Sequence, residues 1–134
     1  MTIQYNIIVP QGTTKVVPFK VTVLMNPLLP YDAVTNPRIA LDLTLASIEM
    51  QVRQTFNTST VLLTATTLNG KFVTTNASAG EFELRLLPAD TTEFKFNASQ
   101  VSYFYDIEAR FSTTNIIRIA QGNFVVQREI TRLA

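Results

Sequence analysis

The chain reads as an all-β, antiparallel β-sandwich, and three features of its sequence carry that reading. Runs of period-two alternation recur along most of its length, turn residues punctuate them at short intervals, and the composition favours strands. Nine phenylalanines stand against 4 glycines and 16% charged residues, a balance that suits pleated, half-buried segments. The pattern accommodates about seven or eight strands of ordinary length. At 134 residues, the stretch 1–134 fits a single domain, long enough to bury roughly two thirds of its unfolded surface without staples.

Taken in order, residues 3–9 form a short apolar run that ends at the turn signal Pro10-Gln11-Gly12. Residues 13–24 place Val17, Phe19, Val21 and Val23 on one parity and Pro18, Lys20 and Thr22 on the other. Pro18 donates no ladder hydrogen bond, so this strand belongs at an edge or is interrupted there. Residues 25–41 hold Pro27, Pro30 and Pro37 among Leu28, Leu29, Tyr31 and Val34. A long loop this apolar either contacts a partner or folds back to cap its own core.

Residues 47–54 alternate cleanly, with Ile48, Met50 and Val52 facing in and Glu49, Gln51 and Arg53 facing out. Residues 60–67 follow with Val61, Leu63 and Ala65 on one face, and Asn69-Gly70 is the strongest hairpin-turn signal in the chain. After a short strand over residues 71–75 and a turn over 76–80, Phe82, Leu84 and Leu86 point inward from residues 81–86. Pro88 followed by Asp90 predicts one short helical turn near Pro88 to Phe94, crossing between sheets.

Residues 101–132 form the organising hairpin. Tyr103, Tyr105, Ile107 and Ala109 alternate with Ser102, Asp106, Glu108 and Arg110. On the return strand Ile117 and Ile119 lie on one parity, while Phe124, Val126 and Ile130 lie on the other. A one-residue slip would turn the apolar set toward water, so a β-bulge or bend is expected, placed at Gly122 because glycine takes positive φ freely.

The same hairpin carries a resemblance. Tyr105-Asp106-Ile107-Glu108, the strand ending Gln121-Gly122-Asn123-Phe124-Val125-Val126 and the close Arg128-Glu129-Ile130-Thr131-Arg132 resemble small virion proteins of tailed bacteriophages. Further segments fit in the same order: Pro10-Gln11-Gly12-Thr13, Asp42-Leu43-Thr44 before Ile48-Glu49-Met50-Gln51-Val52-Arg53, Asn69-Gly70, Ala79-Gly80-Glu81-Phe82-Glu83-Leu84 and Leu87-Pro88-Ala89-Asp90-Thr91. The domain is similar to the immunoglobulin-like N-terminal domain of phage baseplate upper proteins, which implies an immunoglobulin-like sandwich with a structural role. The proline-rich stretch 26–37 departs from that pattern.

Composition narrows the chemistry. With no Cys and no His, disulfides, the usual zinc and iron–sulfur ligand sets, and Ser-His-Asp or Cys-His catalysis are excluded. A net charge of +1 with scattered Lys and Arg predicts no nucleic-acid partner. The first six residues lack the basic and apolar regions of a signal peptide and no apolar run reaches membrane-spanning length, so a soluble protein made in a cytoplasm and without membrane contact is expected. The sequons at Asn57, Asn76 and Asn97 then mark surface turns rather than glycosylation. Spaced glycines without Gly-Lys-Ser/Thr leave no phosphate cradle and no expected cofactor.

Glu81 with Glu83, and Asp106 with Glu108, each share a strand face at roughly 6–7 Å, within the range of a glycosidase acid and base. Both pairs lie opposite the apolar face beside Arg85 or Arg110, which fits charge pairing better than catalysis. Phe94, Phe96, Tyr103 and Phe104 near Arg110 are a stacking set for sugar rings or, more simply, core aromatics. Phe104 alone has the parity of the outer face, as a contact to a neighbouring chain would.

The expectation is therefore a non-enzymatic structural protein of a tailed-phage virion. It would sit at the tail, in a baseplate or fibre attachment, and assemble with itself and other virion proteins as a homo-oligomer or ring. Leu28, Leu29, Tyr31, Val34, Phe104, Arg128 and Arg132 are the candidate interface residues. A head decoration or collar protein is the alternative within that class, and a carbohydrate-binding module for a host glycan is the alternative outside it.

Overall fold

The computed structural model describes residues 3–128, so Arg132 lies outside the described residues. Among the described residues, eleven strands, one short helix and one 3-10 turn form an all-β sandwich around a single hydrophobic cluster. The larger sheet runs in the order β1 (Ile3–Gln4), β11 (Ile116–Gln127), β10 (Gln100–Arg110), β6 (Ser47–Arg53) and β7 (Leu63–Thr66), with β2 (Ile7–Pro10) also pairing β11. The second sheet is β3 (Lys15–Lys20), β9 (Glu81–Leu86) and β8 (Phe72–Asn76). A small ribbon of β4 (Thr22–Leu24) and β5 (Arg38–Ala40) lies beyond it. Among the described residues no helix is long and apolar enough to cross a membrane.

The alternation seen in the sequence builds the core. Ile48, Met50 and Val52 from β6, Tyr103, Tyr105, Ile107 and Ala109 from β10, and Phe82, Leu84 and Leu86 from β9 are all buried. Phe82 stacks on Phe19 at 5.1 Å between ring centroids and meets Phe72 edge-on. Helix α1 (Pro88–Thr92) makes the expected crossing from β9 to β10. Asp90 caps it by accepting the Leu87 N–H at 2.7 Å, and the buried Thr91 hydroxyl accepts the Gly12 N–H at 2.8 Å. Gln11 donates to the Phe94 carbonyl at 2.7 Å, so the first turn of the chain holds the crossover in place.

Several expectations are refined. Pro18 does sit on an edge strand, since β3 pairs only with β9. The break in residues 13–24 falls instead at Val21, where the chain leaves β9 and begins pairing with β5. Asn69-Gly70 does make a tight turn, with Gly70 at φ +81°. It is not a hairpin, because β7 pairs with β6 in one sheet and β8 with β9 in the other. The strand count exceeds seven or eight because residues 3–9 divide into β1 and β2, residues 13–24 divide into β3 and β4, and β5 forms within the stretch 25–41 that reads as a loop. Pairing is antiparallel except along β11, where β1 and β2 run parallel to it.

The bulge in the hairpin is real but lies earlier than Gly122. Ile107 pairs with Ala120 and Glu108 with Arg118, which leaves Ile119 as the extra residue. Ile119 and Ala120 are consecutive and both buried; the small Ala120 already carries the second parity, so the sequence pattern masks the true switch. Gly122 does not adopt positive φ. It is required for space: a Cβ there would lie 2.1 Å from the Tyr5 carbonyl oxygen. Gly122→Ala should therefore destabilise the protein by about 3 kcal/mol in denaturant unfolding. Gly70→Ala, at positive φ but with nothing within 4 Å of its Cβ, should cost only about 1 kcal/mol; equal losses would remove the close-approach explanation.

Candidate functional site

Two surface features stand out, on different parts of the sandwich. The first is the loop between β4 and β5. Leu28 and Val34 are 90% and 88% exposed, and Leu29 and Tyr31 are also exposed, so these side chains do not cap the core. The loop is nevertheless tightly organised. The buried Asn36 side chain donates through Nδ2 to the carbonyls of Asn26, Leu29 and Pro30 at 2.9–3.0 Å and accepts the Asn26 N–H at 2.8 Å. The Asp32 carboxylate accepts the backbone N–H groups of Val34 and Thr35, which hold its pKa below the usual carboxylate value. An irregular backbone carrying apolar side chains is thus held in one shape by its own polar groups.

The second feature is a groove of about 530 Å³ on the outer face of β6, β10 and β11. Its floor consists of the polar residues that alternate with the buried ones. Along β6, the Gln51 amide donates to Glu49 at 3.4 Å, Gln51 Oε1 accepts from Arg53 at 2.7 Å, and Arg53 also donates to the Thr58 carbonyl at 2.7 Å. Along β10, Glu108 pairs with Arg110 at 3.1 Å, and Asp106 pairs with Arg118 of β11 at 3.4 Å. At one end Phe104 packs against Phe56, with centroids 4.4 Å apart and planes tilted by 30°.

Burial in this floor, followed by the Glu108 charge, pushes the Asp106 carboxyl above its ordinary value, against the pull of Arg118 and Arg53. The register also sets Glu108 directly across from Glu49. Closely spaced carboxylates, each within reach of a guanidinium or amide, form a dense row of acceptors and donors. Among the described residues no three acidic side chains gather as a metal-binding group.

The structure divides the candidate interface residues. Leu28, Leu29, Tyr31 and Val34 share the loop; Phe104 lines the groove; Arg128 is exposed and donates to the Asn97 carbonyl at 3.3 Å. The aromatic set proposed for stacking does not assemble. Phe94 and Tyr103 are buried and meet edge-on at 5.2 Å, and Phe96 packs against the core. Phe56, which no sequence pattern singles out, is the ring beside Phe104 instead. Its position depends on the pairing of Phe104 with Arg53 across β10 and β6, and no local pattern signals a cross-strand register. Glu81 and Glu83 lie on β9 in the other sheet, with Glu83 paired to Arg85.

Compared with known proteins, the chain matches no family model and no curated sequence.

The direction of the Asp106 shift has a measurable consequence. A carboxyl whose pKa is raised on folding is ionised at a cost, so stability declines as pH rises from the ordinary value of 3.8 through the folded value. Asp106→Asn should raise the thermal midpoint at pH 7 only slightly, because the side chain is more than a third exposed and solvent screens its charge, and the gain should vanish below the ordinary carboxylate value. A lowered midpoint at pH 7 would show that the Arg118 pair outweighs burial.

Proposed function

We propose that this chain is a non-enzymatic assembly protein that docks on its partners through the loop between β4 and β5. The observation that carries this reading is the exposure of Leu28 and Val34 on a loop already ordered by Asn36. Apolar side chains displayed on a rigid loop lose little conformational freedom on binding, and their burial supplies affinity. A soluble surface gains nothing from such a display, whereas an interface does.

The ordered resemblance to small virion proteins supplies the setting: a tailed-phage particle, at a baseplate or fibre attachment, with copies of this chain and other virion proteins as partners. In a symmetric particle, modest contacts are repeated and add to high avidity. Labelled antibody against the protein on purified particles, viewed by electron microscopy, tests the setting. Label at the tail supports it, label over the head reassigns the protein to decoration or the collar, and absence of label from particles overturns it.

The loop itself is tested by substitution. Leu28→Asp with Val34→Asp should abolish incorporation into particles while leaving the thermal midpoint within about 1 °C, since neither side chain packs internally. Asn36→Ala keeps the apolar residues but removes four hydrogen bonds of the loop. It should weaken incorporation and cost about 2 kcal/mol of stability. Wild-type incorporation of the double variant would exclude the loop as the contact.

A further inference from the structure

The groove on the larger sheet shares no residue with the loop between β4 and β5, and its chemistry differs. We infer that it binds a neutral oligosaccharide, with the Phe56–Phe104 pair as the stacking platform and the polar floor of β6 and β10 as the hydroxyl-binding surface.

Charge is the first argument. The lining contains three carboxylates, Glu49, Asp106 and Glu108, and three guanidiniums, Arg53, Arg110 and Arg118. The groove therefore carries no net charge, and its two Asp/Glu–Arg pairs are already satisfied within it. A phosphate-rich or acidic ligand needs a positive field and would face the carboxylates. A basic ligand would face the guanidiniums.

Hydrogen-bonding capacity is the second. Carboxylates accept at two oxygens, while Gln51 and the arginines donate from planar groups. Vicinal hydroxyls, each both donor and acceptor, satisfy such a surface without carrying charge. The row Glu49-Gln51-Arg53-Thr58 is joined by its own hydrogen bonds, so its side chains are positioned before a ligand arrives and little rotamer entropy is lost.

The third is the aromatic end. Phe56 is 80% exposed although its ring lies against Phe104. A pyranose has an apolar C–H face and polar edges, so one ring can cover Phe56 while its hydroxyls reach the adjacent floor. A protein partner fits less well, because the centre of a protein interface is depleted in charge, and here the charged residues form the floor. The volume, about 530 Å³, is within the ordinary range for a small-ligand site, and the groove is open to solvent as a chain-shaped ligand requires.

The test uses the full chain labelled with 15N, titrated with cellohexaose, maltohexaose, xylohexaose and chitohexaose, and with hexagalacturonate as the acidic counterpart. At least one neutral hexasaccharide should give saturable shifts at the backbone amides of Gln51, Phe104 and Asp106. Phe56→Ala should weaken that binding at least about ten-fold with an unchanged thermal midpoint, and Gln51→Ala should weaken it while Leu28→Asp does not. The assignment is overturned if no neutral sugar produces saturable shifts, if they map elsewhere, if Phe56→Ala binds equally well, or if hexagalacturonate binds more tightly. Concentration-dependent shifts of the same amides without sugar, lost in Phe56→Ala, would instead assign the groove to a second copy of the chain. None of these outcomes bears on the loop.

Discussion

The close approach of the Tyr5 backbone to Gly122 is the constraint on which the larger sheet depends. β1 and β2 both pair with β11, and the two residues between them pass over Gly122. Three hydrogen bonds tie this crossing down: Tyr5 N–H to the Gln121 carbonyl at 3.0 Å, Asn123 N–H to Asn6 Oδ1 at 3.1 Å, and the Tyr105 hydroxyl to the Tyr5 carbonyl at 2.5 Å. Burial pushes the Tyr105 phenol well above its ordinary pKa, with Tyr5 adding to the shift, so it remains a donor at physiological pH. Tyr105 pairs with Gly122 across the hairpin. One glycine therefore allows β1, β11 and the hairpin to meet at this crossing.

The interior and the groove are two products of one alternation. On β10 the residues that enter the core, Tyr103, Tyr105, Ile107 and Ala109, impose their spacing on Phe104, Asp106, Glu108 and Arg110 outside. β6 does the same with Ile48, Met50 and Val52 against Glu49, Gln51 and Arg53. Since β10 pairs with both β6 and β11, its outer residues have a row of neighbours on each side. A rigid core thus presents a polar floor in a defined register, the condition under which such a surface recognises a ligand without first rearranging.

The loop between β4 and β5 is ordered by different means. It has little ladder pairing, only the Asp32–Asn36 bridge, and its rigidity comes from Asn36 and Asp32 bonding to nearby backbone groups. Such order is local and polar, so it costs no apolar side chains, and Leu28 and Val34 remain outside. The sandwich carries a polar groove on one sheet and an apolar loop at a separate place.

The sequence by itself determined the fold class, the inward residues of β6, β9 and β10, the helical turn after Pro88 and the presence of a bulge in the last strand. These depend on period-two alternation and on the fixed φ of proline, both of which act over a few residues. Only the tertiary structure decided that Asn69-Gly70 separates two sheets rather than closing a hairpin, that Ile119 is the bulged residue, and that Phe56 stands beside Phe104. Each of those follows from which strand lies next to which, and strand partnership is settled by packing between residues far apart in the chain, where local alternation carries no information.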